Sequence, residues 1–234
     1  MDGVNFDLSK VKNGVLLVDK PQGWTSFDVV AKIRGQIRAE YRARGEKPTK
    51  QQQKVGHAGT LDPFATGLLV VLLGDATKNA DDFLKLDKVY EATIRLGQTS
   101  TTGDPEGELT DVSSLEPSLA DIEQVIAKFI GKITQTPPKF SAIKVNGQRA
   151  YKLAHKGLDV EIPSRQVVIY SIEILESTYP ELRIRTHVGS GTYIRTLAED
   201  IGNELHTGAY CSQLRRTRVG RWSIDDTVKG EIND

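Results

Sequence analysis

The sequence predicts an α+β fold. Strand-like and helix-like stretches follow one another irregularly, without the regular β-α-β alternation of a parallel sheet. The stretch Lys88–Leu96 alternates with period two, placing Tyr90, Ala92, Ile94 and Leu96 on one face, and reads as a strand. The stretch SLADIEQVIAKFIG reads as a helix, with Ser118 and Asp121 as a capping box and Gly131 as its stop.

In chain order, a short apolar strand over 15–18 leads into a turn at KPQG. Thr25 or Ser26 caps a helix whose apolar positions are Val29, Val30, Ile33, Ile37 and Tyr41, and which ends near Gly45. Residues 46–54 are polar and predict a mobile loop. Next comes GHAGTLDPFATGLL, residues 56–69, which runs directly into the apolar stretch 68–73. After the strand Lys88–Leu96, residues 97–117 predict a polar, acidic loop. TPPKFSAIKVNGQ reads as an irregular segment entering a short strand and turn, and residues 148–156 as a helix ending at Gly157. Strands are expected over 158–163, 166–176 and 181–188. GSGTYIRTLAEDIGNEL turns on its glycines and becomes helical from about Tyr193. Residues 209–219 predict a final strand.

Of 234 residues, 38% are hydrophobic and 26% charged, the profile of an ordinary globular protein with enough chain for a real core. There is no apolar run of membrane-span length and no signal-peptide core, so no membrane partner is expected. One cysteine, Cys211, excludes an intrachain disulfide and fits a reducing compartment, the cytoplasm. The formal net charge of +0 hides an uneven distribution. Residues 32–54 hold eight Lys/Arg and two acids, residues 215–221 four Arg and no acid, and residues 104–127 seven acids and no base. Such basic segments are either phosphate-binding surfaces or solvated faces.

The chemistry-bearing candidates cluster in residues 56–69. Asp62-Pro63 favours a turn, and Gly56 and Gly59 permit positive φ or close backbone approach. Asp62 either presents its carboxylate at the mouth of a cleft or caps the segment that follows. His57 is either a functional group or a structural one. There is no GxxxxGK[ST], HExxH or GxSxG motif, and the four histidines and one cysteine have no metal-ligand spacing. No cofactor and no obligate metal are expected.

The stretch GHAGTLDPFATGLL closely resembles the catalytic motif of the TruB-type tRNA pseudouridine synthases. DKPQGWTS (19–26), KVYEATIRLG (88–97), PPKFSAIKVNGQRAYKLAHKG (137–157), GTYIRTLAEDIG (191–202) and LRRTRVG (214–220) resemble that family's other motifs. They lie in family order and cover about residues 14–222. The resemblance implies the pseudouridine synthase form of the α+β class, a mixed, largely antiparallel sheet flanked by helices and loops with a central catalytic cleft. It also implies a single catalytic domain over 1–234.

Residue by residue, the resemblance gives Asp62 the role of the essential aspartate, which attacks the ribose C1′ or otherwise acts on the sugar. Tyr90 matches the tyrosine that stacks on the extruded uracil, and Arg195 the arginine that pairs with the aspartate. His57 matches the histidine near the flipped nucleotide, and Tyr193 and Leu214 match residues lining the base pocket. Lys20, Gly59 and Thr60 match residues that support the site. The implied activity is isomerisation of a uridine in the T arm of tRNA, at the position conventionally numbered 55, by base flipping. The product is an isomer, so no electron carrier or energy source is required. The partner is tRNA, and the expected state a monomer.

Two features depart from the family pattern. The chain stops fourteen residues after LRRTRVG, so no C-terminal PUA-type RNA-binding domain is expected, and RNA affinity should be weaker and strongly salt-dependent. The basic stretch 36–54 is longer than the usual link and is a candidate to reach the RNA backbone. His155 stands where family members often carry Arg. Two alternatives remain beside the enzyme: a tRNA-folding or RNA-binding protein with secondary catalysis, and a guide-RNA-directed synthase.

Overall fold

The computed structural model describes residues 4–141, 143–145, 147–150, 153, 161–228 and 230–232. In chain order the elements begin with β1 (Val4–Asn5), β2 (Val15–Lys20), α1 (Ser26–Ala43), β3 (Val55–His57), β4 (Thr66–Leu73), α2 (Ala80–Leu84) and β5 (Lys88–Leu96). They continue with β6 (Gln98–Ser100), β7 (Leu109–Asp111), α3 (Leu119–Lys128), β8 (Gly131–Gln135), β9 (Lys144–Val145) and β10 (Gln148–Arg149). Last come β11 (Arg165–Thr178), β12 (Glu181–Val188), α4 (Ile194–Glu204), β13 (Ala209–Val219), β14 (Trp222–Ser223) and β15 (Glu231–Ile232). The class is α+β, and every strand pairing whose register is described is antiparallel except that of β4 with β13. The chain divides into two compact units, residues 1–88 with 215–234, and residues 89–214.

The first unit is organised around β4. Six consecutive residues of this strand, Gly67 to Leu72, are buried, which explains the unbroken apolar run where a half-exposed strand would alternate. One edge of β4 pairs with β2, in register Val18↔Leu69 and Lys20↔Gly67. The other edge is shared: β3 covers its far end, with His57 opposite Val71, and β13 runs parallel along its start, with Arg216 opposite Gly67. Leu68, Val70 and Leu72 share one face and pack with Ala58 and Val219 in a core flanked by Leu17, Phe83 and Trp222. Phe83 and Trp222 stack with ring centroids 4.9 Å apart.

Helix α1 forms where its periodicity requires. Val29, Val30, Ile33 and Ile37 make its buried stripe. Thr25 is the N-cap: its side chain accepts from the Asp28 amide, and the Asp28 carboxylate accepts from the Thr25 amide. Such a box contributes about 1 kcal/mol. Residues 46–54 form a loop, as the composition predicts, with a turn at 50–53 and hydrogen bonds of its own. Gln53 Nε2 donates to Pro48 O at 2.8 Å, its Oε1 accepts from Arg38 Nε at 2.7 Å, and Gln52 Oε1 accepts from the Thr49 amide at 2.8 Å.

In the second unit the strand order is β13-β5-β12-β11-β8. Strand β12 buries alternate residues, Leu182, Ile184, Thr186 and Val188. Strands β11 and β12 form a long hairpin, paired from Ile169↔Val188 to Thr178↔Glu181. Helix α3 starts at the Ser118–Asp121 box that its sequence predicts and buries Ile122, Val125 and Ile126. Gly131 is the first residue of β8, with φ +107°.

Several local expectations are corrected. The acidic stretch 97–117 contains the small hairpin β6–β7, in register Thr99↔Thr110. Its amides find ladder partners although its side chains are polar and Leu109 is exposed, so no apolar alternation marks it. Positions 148–149 belong to the hairpin β9–β10 rather than a helix, and residues 161–163 are irregular rather than strand. Most of the helix expected over 148–156, the start of the strand expected over 158–163, and His155 lie outside the described residues.

Candidate active site

Asp62 opens a turn between β3 and β4. The Ala65 amide donates to Asp62 O at 3.1 Å, with Pro63 in the second turn position, where its fixed φ is favoured. Asp62 is partly exposed and has hydrogen-bonding or electrostatic contacts of its own. The turn is clamped from three directions. From β2, the Lys20 ammonium, itself fully buried, donates to Pro21 O at 3.0 Å, Trp24 O at 2.5 Å and Pro63 O at 3.3 Å. Three carbonyls thereby satisfy the three donors of a cation that would be costly to bury alone. The Gly23 amide adds a bond to Pro63 O at 2.8 Å. From the first turn of α1, the buried Ser26 Oγ donates to Leu61 O at 3.0 Å and accepts from the Leu61 amide at 2.8 Å.

The third support is Arg216, 1% exposed, on β13. Its Nε donates to Leu68 O at 2.8 Å, its Nη2 to Gly59 O at 3.0 Å and its Nη1 to Thr60 O at 3.5 Å. One guanidinium thus ties the loop before Asp62 to the strand after it. Two glycines make room. Gly67, at φ +101°, has no space for a side chain: a Cβ there would lie 2.3 Å from Arg216 O. Gly59, at φ +104°, lies under the guanidinium, a Cβ there standing 3.4 Å from Arg216 Nη1. Gly56 is ordinary strand in β3, not a positive-φ glycine, and His57 ends that strand rather than sitting on the turn. Lys88, buried at the start of β5, donates to Leu84 O at 2.8 Å and Leu86 O at 2.5 Å. Burial, and then the charge of Arg216, push its ammonium down to about 8.

The second unit carries Tyr90, Tyr193, Arg195 and Leu214. Tyr90 and Leu214 are each 9% exposed, on β5 and β13, which are joined where Ser212 Oγ donates to Thr93 O at 3.1 Å. Tyr193 is the N-cap residue of α4. The buried side chain of Gln135 brackets its backbone, accepting from Tyr193 N at 3.0 Å and donating to Tyr193 O at 3.2 Å. The Arg165 guanidinium lies over the Tyr193 ring at 5.2 Å and donates to Gly191 O.

Arg195 is buried in the first turn of α4. Its Nη1 donates to Asp104 Oδ2 at 2.7 Å and to Thr102 O at 2.8 Å, and its Nη2 to Phe140 O at 2.7 Å. Arg195 and Asp104 are each 4% exposed. The remaining carboxylate oxygen of Asp104 accepts from Thr102 Oγ1 at 2.6 Å and the Glu106 amide at 3.0 Å, so both carboxylate oxygens of the buried pair are hydrogen-bonded. Among the described residues Glu199, one turn along α4 from Arg195, forms no ion pair within 4 Å, and Asp104 is the acid paired with Arg195. Burial first, then the charge of Asp200, pushes the Glu199 carboxyl up, with Arg195 opposing.

Asp62, Lys20, His57, Gly59 and Thr60 therefore share the first unit, and Lys20, Gly59 and Thr60 meet the Asp62 turn or the groups that hold it. Ser26, Arg216 and Asp104 are site-building residues that the sequence reading did not name as such. Of the four arginines at 215–221, Arg216 points inward, Arg215 pairs with Asp19 at 2.7 Å, Arg218 with Asp87 at 2.9 Å, and Arg221 lies over Trp222. This segment serves the fold more than a phosphate surface.

Residues 47–194 match the family described as TruB family pseudouridylate synthase (N terminal domain). Residues 195–231 match the tRNA pseudouridylate synthase B C-terminal domain. The chain is 46% identical over 218 residues to the tRNA pseudouridine synthase B of Phocaeicola vulgatus, covering 93% of this chain and 90% of that one. It is 44% identical to the same-named protein of Parabacteroides distasonis over 221 residues, 94% and 91% of the two chains. Among solved structures, a chain of a Cbf5-Nop10-Gar1 complex superposes with TM-score 0.67 at 33% identity, covering 92% of this chain and 52% of that one.

Proposed function

Because the chain belongs to the TruB family of pseudouridylate synthases, we propose that it isomerises uridine 55 in the T arm of tRNA to pseudouridine. In this reading Asp62 acts at the ribose C1′ of the flipped nucleotide, and Arg195 orients its carboxylate and balances its charge. The C1′–N1 bond breaks. The uracil turns while stacked on Tyr90, a contact worth about 1–3 kcal/mol, in a pocket lined by Tyr193 and Leu214. A C1′–C5 bond then forms, the C5 proton leaves through the Tyr90 hydroxyl or water, and N1, left anionic when its bond to C1′ broke, takes up a proton in its place. His57 occupies space beside the extruded nucleotide. Atoms balance without a second substrate, and the reaction takes place in the cytoplasm on tRNA alone.

The observation that carries the reading is the triple clamp on the Asp62 turn. Lys20, Ser26 and Arg216 are all buried, and their donors reach Pro63, Leu61, Gly59, Thr60 and Leu68. A carboxylate that merely caps a segment needs no such support, whereas one that acts on a sugar carbon must be held to a fraction of an ångström.

A guide-RNA-directed synthase is the second reading, favoured by the likeness to the Cbf5 complex. Both are tested on an unmodified tRNA transcript with purified protein and no guide RNA, mapping pseudouridine by carbodiimide labelling and primer extension. One new stop, at position 55, is expected. Modification only when a guide RNA is added would favour the second reading, and no stop under either condition would overturn both.

A further inference from the structure

The C-terminal end of α1 and the turn after it enclose a cleft of about 510 Å³ lined by Arg38, Arg42, Gly45, Glu46, Lys47, Pro48 and Gln53. We infer that this cleft binds the phosphodiester backbone of the RNA substrate, a contact separate from the reacting nucleotide. The inference rests on the tRNA reading above.

Three observations lead there. The first is charge. The lining carries three cations and one acid, and Pro48 is its only apolar side chain. Arg38 and Arg42 stand one turn apart on one face of α1, a like-charge spacing that is unfavourable in an isolated helix. Among the described residues no carboxylate lies within 4 Å of Arg38, Arg42 or Lys47, while the neighbouring Arg44 is paired with Glu40 at 3.9 Å. The second is order. Gln53 holds Arg38 through its Nε and anchors its own amide on Pro48 O, which leaves the two terminal nitrogens of Arg38 to form a fork. Gly45, at φ +74°, turns the chain so that Glu46 N reaches back to Tyr41 O at 2.9 Å, fixing the cleft's rim. The third is distance. Ser26, which clamps the Asp62 turn, and Arg42 are sixteen positions apart on one helix, about 24 Å at 1.5 Å per residue. A single nucleotide cannot span that separation, and a folded polynucleotide can. A ligand that reaches both the Asp62 turn and the cleft is therefore an extended polyanion, which the tRNA reading supplies.

The test is binding of an unmodified tRNA transcript to the full chain across a range of KCl concentrations. Each Lys or Arg that neutralises one phosphate contributes about one unit to the slope of log affinity against log salt. Arg42→Gln is expected to lower the slope by about 1, and Arg42→Gln with Lys47→Gln by about 2. Both residues are exposed and Arg38 is left in place, so the turn keeps its anchor. Arg42→Lys keeps the charge and should keep the slope. Lys10→Gln, an exposed lysine outside the cleft, should leave it unchanged. If the wild-type protein modifies tRNA but the Arg42 and Lys47 variants keep its slope, this inference is overturned and the proposed function stands. An equal drop for Lys10→Gln would also overturn it, because the effect would then belong to the whole surface. If the wild-type protein neither binds nor modifies tRNA, the proposed function fails and this inference falls with it.

Discussion

Ser26 and Leu61, 35 positions apart, exchange two hydrogen bonds through one hydroxyl: Oγ donates to Leu61 O at 3.0 Å and accepts from Leu61 N at 2.8 Å. The first turn of α1 is thereby fastened to the residue before Asp62. Ser26→Ala leaves both backbone groups buried and unpaired, and is expected to cost about 1–3 kcal/mol in urea unfolding. Thr25→Ala removes the neighbouring cap and should cost about 1 kcal/mol. The two differ in catalysis: Ser26→Ala should lower kcat, whereas Thr25→Ala should leave it within about twofold, because only Ser26 touches the turn.

Two glycines with similar backbone angles make a matched pair. Gly67 (φ +101°) has Arg216 O 2.3 Å from where a Cβ would stand, and Gly23 (φ +81°) has nothing within 4 Å. Gly23→Ala should cost about 1 kcal/mol, the left-handed backbone alone. Gly67→Ala adds a clash with backbone that cannot step aside, and should cost at least about 3 kcal/mol. Thermal unfolding of both variants under one buffer checks the difference.

Arg216→Met keeps bulk and removes the donors to Leu68, Gly59 and Thr60. With the buried Leu68 carbonyl left unsatisfied and the partly exposed Gly59 and Thr60 carbonyls left to water, stability should fall by about 2–4 kcal/mol. At a temperature where the variant is still folded, kcat should drop with little change in KM, since the turn loosens while the RNA-binding surface remains. A KM effect of the same size as the kcat effect would assign Arg216 to RNA binding instead.

Lys88 gives a pH signature. Its folded-state pKa is pushed down to about 8 from the ordinary 10.5, with burial the larger cause and Arg216 the next. Between those values the unfolded chain holds a proton that the folded chain does not, so stability rises with pH across that window. Below about pH 8 both states are protonated and the cost of burying the charge is constant. The gain should approach about 3 kcal/mol at the upper end. Urea unfolding of the wild type and Lys88→Met at pH 8 and pH 10 checks this, since the wild type alone should gain stability from Lys88.

Much of the frame was legible in the sequence because local signals and tertiary structure agree there. Thr25, one of the two caps expected, and the Ser118–Asp121 box start their helices, Lys88–Leu96 alternates as a strand, and β13 spans the stretch expected for it. What failed to show locally depends on distant partners. β3 is three residues long and exists through β4, and the β6–β7 hairpin is polar on its exposed side. The roles of Arg216 and Asp104 were hidden by composition: one sat in a basic run and the other in an acidic one, and both runs read as surface. Burial selects one member of each run, Arg216 to hold backbone carbonyls and Asp104 to hold Arg195. The loop at 46–54 was legible as a loop, but its internal bonds were not. Its glutamines look like solvated side chains, yet Gln52 and Gln53 bond the turn's own backbone and Gln53 also holds Arg38.

The most direct test of the central claim replaces one atom of the Asp62 carboxylate. Asp62→Asn keeps the shape of the side chain, and Lys20, Ser26 and Arg216 hold the backbone around it through Pro63, Leu61 and Gly59. Single-turnover conversion of tRNA uridine 55 should fall below detection in Asp62→Asn, with thermal stability and tRNA affinity close to wild type. Conversion by Asp62→Asn at a rate within about tenfold of wild type, roughly 1.4 kcal/mol of barrier, would contradict the role given to this carboxylate.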